Sequence, residues 1–140
     1  MSISLEVAEH LPDEAADAFV GNLVNAAEVV LFSAAIPGQK GVHHINEQPS
    51  YYWREKFNNY EYVEIDFIRP LIWGDARLPW WRRQNTTLFV HRGYLEKNQK
   101  AKALAARYPE LKNQACVTAV SEWILKKQND SIEAMELHKE

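Results

Sequence analysis

The side chains most able to do chemistry lie close together near the start of the chain. Ser4-Leu5-Glu6-Val7-Ala8-Glu9-His10-Leu11-Pro12 carries two carboxylates and an imidazole within a few residues, and His43-His44 follows further on. Carboxylates bind cations, and an imidazole changes charge near neutral pH, so both serve in proton transfer and metal ligation. Their setting adds weight. The stretch reads as the end of a buried strand running into a polar turn, with a helix start at Pro12-Asp13-Glu14. In an open α/β sheet, ligands bind in the crevice beyond the carboxyl ends of the strands.

These residues need a sheet to position them, and the periodicity supplies one. Ala16, Phe19, Val20, Leu23, Val24 and Ala27 form one apolar stripe at helical spacing, predicting a helix from Pro12 to Ala27. Pro12 suits a first turn, and Asp13 and Glu14 complement the positive end of the helix dipole. Glu28 to Ala35 is apolar almost throughout and β-branched at its start, the pattern of a strand covered on both faces. Strand, helix and strand with short joints make a βαβ unit, so these two strands are expected to be parallel.

Gly and Pro then break regular structure across Ile36 to Gly41. The polar loop Val42-His43-His44-Ile45-Asn46-Glu47-Gln48 follows, on the same sheet edge as Glu6, Glu9 and His10. A short helix is expected from Pro49 to Phe57, with Ser50 helping to cap it; Glu47-Gln48 either line the pocket or cap the same helix, the cap being favoured. Glu61 to Arg69 alternates, with Val63, Ile65 and Phe67 on one face and a more polar face opposite. An irregular, Trp-rich connection runs from Pro70 to Asn85, and Thr86 to His91 forms the last strand, antiparallel to the one before. Tyr94 to Tyr108 reads as a helix, and a second carries Val117, Val120, Trp123 and Ile124 on one face. The tryptophans are expected in core and lid packing, Arg82-Arg83 in solvent, and Cys116 as an inert buried thiol.

The bulk properties bound the answer. A chain of 140 residues, 46% hydrophobic and 25% charged, supports one globular core. A formal net charge of −3 provides no basic field for nucleic acid. A single cysteine excludes an intrachain disulfide and fits a reducing, cytoplasmic setting. No apolar run reaches the roughly 20 residues of a membrane span, and no signal peptide is expected.

The order of elements and several motifs resemble the second half of a class I S-adenosylmethionine (SAM) dependent methyltransferase. Ser4 to Pro12 is similar to the superfamily's fourth-strand motif, Glu-Val-x-Glu-His followed by an apolar residue. Val30-Leu31-Phe32-Ser33 with Pro37-Gly38 resembles its fifth strand and the loop after it. Ile68-Arg69-Pro70, Trp80-Trp81, Arg83-Gln84-Asn85 and Leu88-Phe89-Val90 resemble the closing hairpin of bacterial members. The resemblance implies a Rossmann-like α/β fold cut to its last four strands, a parallel pair plus an antiparallel hairpin. Residues 1–92 would then be the C-terminal half of a methyltransferase domain, and 93–140 a helical extension. The Gly-rich loop that cradles SAM in that family has no counterpart, since Gly occurs only at 21, 38, 41, 74 and 93.

The resemblance also implies roles. Leu5 and Glu6 would face SAM, and His10, His43 and His44 would line the catalytic edge. Glu6, Glu9, His10 and His44 would ligate a divalent cation, as in the family's metal-dependent 2′-O-methyltransferases. That set of oxygen and nitrogen donors suits Mg²⁺, Mn²⁺ or Zn²⁺. The expected activity is methyl transfer from SAM to an oxygen or nitrogen of a small molecule or glycan, with a separate N-terminal half or a second copy as partner. An inactive remnant or assembly subunit, and a metal-binding module without transfer activity, are the rival expectations.

Overall fold

The computed structural model describes residues 1–108. A four-stranded mixed sheet runs in the order β1-β2-β4-β3, built from β1 (Ser2–Leu5), β2 (Val29–Ser33), β3 (Tyr62–Ile65) and β4 (Thr87–His91). β1 and β2 are parallel, with Leu5 opposite Ser33; β4 is antiparallel to both β2 and β3. Thr87 lies opposite Phe32, and Ile65 opposite Leu88. The carboxyl ends of β1, β2 and β3 and the start of β4 therefore share one edge, which is the edge bearing the chemistry. The α/β architecture, the parallel pair and the antiparallel pairing of β3 with β4 are as expected, but β3 and β4 are not a simple hairpin, since two helices lie between them.

Apolar residues alternate along each strand because successive side chains point to opposite faces. Val30, Phe32, Tyr62 and Phe89 meet α1 (Ala16–Ala26) and α2 (Ser50–Asn58) through Ala16, Val20, Trp53 and Phe57. Val63, Ile65, Leu88 and Val90 form the other core, packed by α5 (Arg92–Lys97) and α6 (Gln99–Arg107) through Tyr94, Leu95 and Ala105. Burial on both faces is why β2 reads as a nearly continuous apolar run. The first core centres on Phe57, whose ring stacks on Phe89 at 3.9 Å between centroids, with Phe32 edge-on to both.

Several expectations shift in detail. The stretch after Pro12 begins as a 3-10 turn, Asp13–Ala15, before α1 proper. The connection from Pro70 to Asn85 is not irregular: α3 (Ile68–Ile72) ends the alternating strand early, and α4 (Trp80–Asn85) leads into β4. Prolines precede several of these starts, Pro49 before α2 and Pro79 before α4, both in extended backbone where no N–H bond is lost. The helix from Tyr94 is divided at Asn98, whose side chain accepts from the Lys100 and Ala101 N–H groups and starts α6 afresh. The second tail helix and Cys116 lie outside the described residues.

The polar face of β3 is also buried. Glu64, 2% exposed, receives Arg54 Nε at 2.7 Å, and Arg69 Nη2 lies 3.6 Å from its other oxygen. Alternation in sequence marks a polar face without saying whether water or an ion pair covers it.

Phe57 is fully buried between two rings, so Phe57→Ala is expected to cost about 3–5 kcal/mol in urea denaturation. A loss below about 1 kcal/mol would show that this ring is not the centre of the core.

Candidate metal centre

Glu6 ends β1 in the left-handed region, φ 55°, and its N–H bonds both the carbonyl and the hydroxyl of Ser33. A non-glycine residue there costs of order 1 kcal/mol. The chain consequently leaves the strand and winds into a 3-10 turn, Ala8–His10. Ala8 and Glu9 face inward, both 0% exposed, while His10 faces solvent.

The His-rich loop is pinned onto this turn. The N–H groups of Ile45 and Asn46 both donate to the Glu9 carbonyl, at 2.9 and 3.0 Å. His43 also sits in the left-handed region, φ 59°, and its carbonyl meets His10 Nδ1 at 3.1 Å. The rings of His10 and His44 pack edge to face, 4.9 Å between centroids. One ligand atom from each of Glu9, His10 and His44 lies within 4.8 Å of the others.

The tautomers follow from the partners. His43 presents a carbonyl to His10 Nδ1, and Glu47 presents a carboxylate oxygen to His44 Nδ1 at 2.8 Å. Both partners only accept, so each Nδ1 carries its proton and donates. With Nδ1 engaged in this way, Nε2 is the ring nitrogen left to bind an ion once deprotonated, the arrangement by which outer hydrogen bonds orient metal-binding imidazoles. Glu9 completes the set: neither carboxylate oxygen has a hydrogen-bond partner, although both are buried. Burial pushes its carboxyl above the ordinary carboxylate range, opposed by the residue's own backbone N–H and by the two imidazoles and helped by the nearby Glu6 charge. An unpaired buried carboxylate is costly, and a dication between it and two neutral imidazoles removes that cost. The residues fit such an ion.

Not every expected ligand joins the cluster. Glu6 is turned to a different task, accepting from Gln39 Nε2 at 3.1 Å and from Asn85 Nδ2 at 3.4 Å. Asn85 Nδ2 also bonds Gln39 Oε1 at 2.8 Å, which closes a three-residue ring. Leu5 is half-buried at the end of β1, next to this ring in sequence. His43 contributes its carbonyl, and its side chain is exposed. Glu47 caps nothing: one oxygen holds His44 and the other accepts from the Gly38 N–H.

No family model matches this chain, and no curated protein or solved structure matches it. The geometry alone carries the reading.

Glu47, Gln39 and Asn85 also contribute, in roles that the sequence alone does not assign to them. Glu47 could have been found from its position three residues after His44, on the same tight loop. Gln39 and Asn85 carried no signal, because their partner is remote in sequence. Gly41 is the clearest steric case: a Cβ there would overlap Nε2, Cε1 and Cδ2 of His44. Among the described residues, no helix is long and apolar enough to cross a membrane.

Two predictions follow from this geometry. The raised Glu9 carboxyl favours its neutral form in the folded state, so its contribution is present at acid pH and lost as pH rises through the raised value. Metal-free Glu9→Gln should therefore unfold at higher temperature than metal-free wild type near pH 8, with the gap closing toward pH 4. Equal gaps across that range would contradict the burial of a charge at Glu9. Gly41→Ala should leave thermal stability nearly unchanged while weakening cation binding by displacing the His44 ring; unaltered affinity in calorimetry would disprove that role.

Proposed function

We propose that this chain is the metal-holding, acceptor-side half of a SAM-dependent O-methyltransferase. The observation that carries the reading is the Glu9 carboxylate, fully buried with both oxygens unpartnered, beside two imidazoles held by their Nδ1 atoms. The expected strand motif supports it, as does a sheet in which a parallel pair is extended by antiparallel strands.

Glu9, His10 and His44 would hold the cation. A dication there supplies Lewis-acid polarisation of an acceptor hydroxyl, making it a better nucleophile. The protein's own residues fix the approach. His10, exposed, keeps one side of the edge open to an acceptor, while the pinned loop closes the other. Glu6, held by Gln39 and Asn85, adds negative charge beside the site and favours a cationic partner such as a sulfonium. In the transfer itself the methyl C–S bond breaks, a C–O bond forms, and the hydroxyl proton leaves to water on the open side. SAM would be cradled by another half of the enzyme, since these 140 residues contain no Gly-x-Gly segment. Methyl transfer to nitrogen needs no such cation, so oxygen is the favoured acceptor atom.

A metal-binding module without transfer activity rests on the same cluster and differs only in lacking a methyl donor. Calorimetry with Mn²⁺ and Zn²⁺ on the purified chain tests the shared premise. One ion per chain is expected, with affinity reduced at least about tenfold in Glu9→Gln and in His44→Ala. Absence of stoichiometric binding would defeat both readings. Tight binding of SAM to the chain alone would defeat the separate-half proposal.

A further inference from the structure

Beside the metal centre, on the same sheet edge, a small cleft opens between the sheet and helices α2, α3 and α4. Phe32 and Phe89 form its apolar wall, and Trp53, Glu64, Arg69, Asn85 and Thr87 supply polar groups. Trp53, Glu64 and Thr87 are 3%, 2% and 5% exposed. Three of these lining residues each carry a buried atom without a hydrogen-bond partner: Trp53 Nε1, Thr87 Oγ1 and Arg69 Nη2. Native structures leave few such atoms, and each one calls for an explanation.

We propose that this cleft binds a hydroxyl group of a neutral, polyhydroxylated acceptor such as a glycoside or glycerol-like polyol. The proposal rests on the methyl-transfer reading above and narrows its substrate class. Three observations select the chemistry. First, the free groups are two donors and one hydroxyl, with a carboxylate alongside. Glu64 Oε2 is taken by Arg54 Nε, whereas Oε1 stands 3.6 Å from Arg69 Nη2, beyond hydrogen-bond reach. A hydroxyl both donates and accepts, so one oxygen can serve the carboxylate and a neighbouring donor together. Second, the charges are already balanced. Arg54 and Arg69 face Glu64 and Asp66, the latter accepting from Arg69 Nε at 2.6 Å. An added anion would meet no surplus cation and would be desolvated beside Glu64. Third, the space a water can occupy is only about 20 Å³, enough for one oxygen-bearing substituent and not for a ring.

The acceptor would therefore place one hydroxyl in the cleft and present another at the metal centre. Asn85 links the two places: it lines the cleft and donates to Glu6 and Gln39 at the edge. Holding a remote hydroxyl orients the reacting one, which is how binding energy away from the chemistry assists it.

The Trp53 indole N–H provides a local reporter in ¹H–¹⁵N NMR of the full 140-residue chain, assigned by Trp53→Phe. Titration with glycerol and with methyl β-D-glucopyranoside is expected to shift that signal saturably. Thr87→Val, nearly the same shape without the hydroxyl, should weaken binding about three- to tenfold, the worth of one hydrogen bond. Should Thr87→Val fail to fold, Trp53→Phe followed through the shifts of its neighbours is expected to show the same weakening. The proposal is overturned if neither polyol shifts Trp53, if only glycerol 3-phosphate does, or if both variants bind as well as wild type. Mn²⁺ calorimetry on the same samples separates the two readings. Metal binding without a polyol shift overturns the cleft alone; a polyol shift without metal binding supports the cleft and overturns the metal-dependent reading.

Discussion

The burial of the Glu9 carboxylate is the constraint on which the rest of this edge depends. A charged group taken out of water without a partner costs several kcal/mol. Here neither oxygen has a hydrogen-bond partner. Two ordinary remedies are visible nearby and neither is used: Gln39 and Asn85 bring amide donors to Glu6, not to Glu9. The cost is met only in part, by a carboxyl that keeps its proton to higher pH. What lies beside Glu9 instead is a pair of imidazoles, each with a ring nitrogen within 4.8 Å of a Glu9 carboxylate oxygen. A surrounding that gives a buried carboxylate no hydrogen bond from another residue, and sets two imidazoles beside it, is matched to a cation.

Keeping that arrangement rigid falls to the backbone. The Glu9 carbonyl takes two N–H groups from the loop, so the turn carrying the carboxylate and the loop carrying His44 move as one piece. Glu6 and His43 occupy left-handed conformations that their side chains do not favour. Each is over-determined by its neighbours: Glu6 through Ser33, His43 through His10. Such strain persists only where the surrounding structure holds it, and it gathers where geometry matters to function. The two apolar layers supply the holding force, because α1 and α2 on one face and α5 and α6 on the other fix the sheet whose end is this edge.

How far the sequence reveals this follows from the range of each interaction. The helix α1 and the strands β1, β2 and β4 could be read locally, since the apolar period of each segment reports the layer it packs against. The shared edge of Glu9, His10 and His44 was legible too, because a parallel βαβ unit brings successive strand ends together. Glu6 was not separable from Glu9 in the same motif. Only the left-handed turn at Glu6, which sends the two carboxylates in different directions, decides that one joins the imidazoles and the other joins Asn85. The short helices α3 and α4 were hidden by Trp and Pro in a stretch that resembles a loop. The tryptophans themselves divide: Trp53 is core, as expected, but Trp73 and Trp81 are 48% and 37% exposed.

Glu64 shows the limit most plainly, and it bears on how the edge works. An alternating strand with a glutamate midway marks a polar face without saying what covers it, and this carboxylate lies beneath α2 with Arg54 and Arg69 around it. Replacing such a cluster by apolar residues often stabilises a fold, so buried ion pairs are weak evidence for stability. The contrast with Glu9 is instructive. Glu64 has its countercharges built in, which leaves hydrogen-bonding capacity without net charge; Glu9 has none, which leaves a charge without hydrogen bonds. Asn85, between them, spends its amide on Glu6 and Gln39 and so belongs to both neighbourhoods. One sheet edge thus offers two different unmet demands side by side, one for a cation and one for a neutral oxygen. A single oxygen-rich molecule approaching that edge can answer the second demand while an ion answers the first.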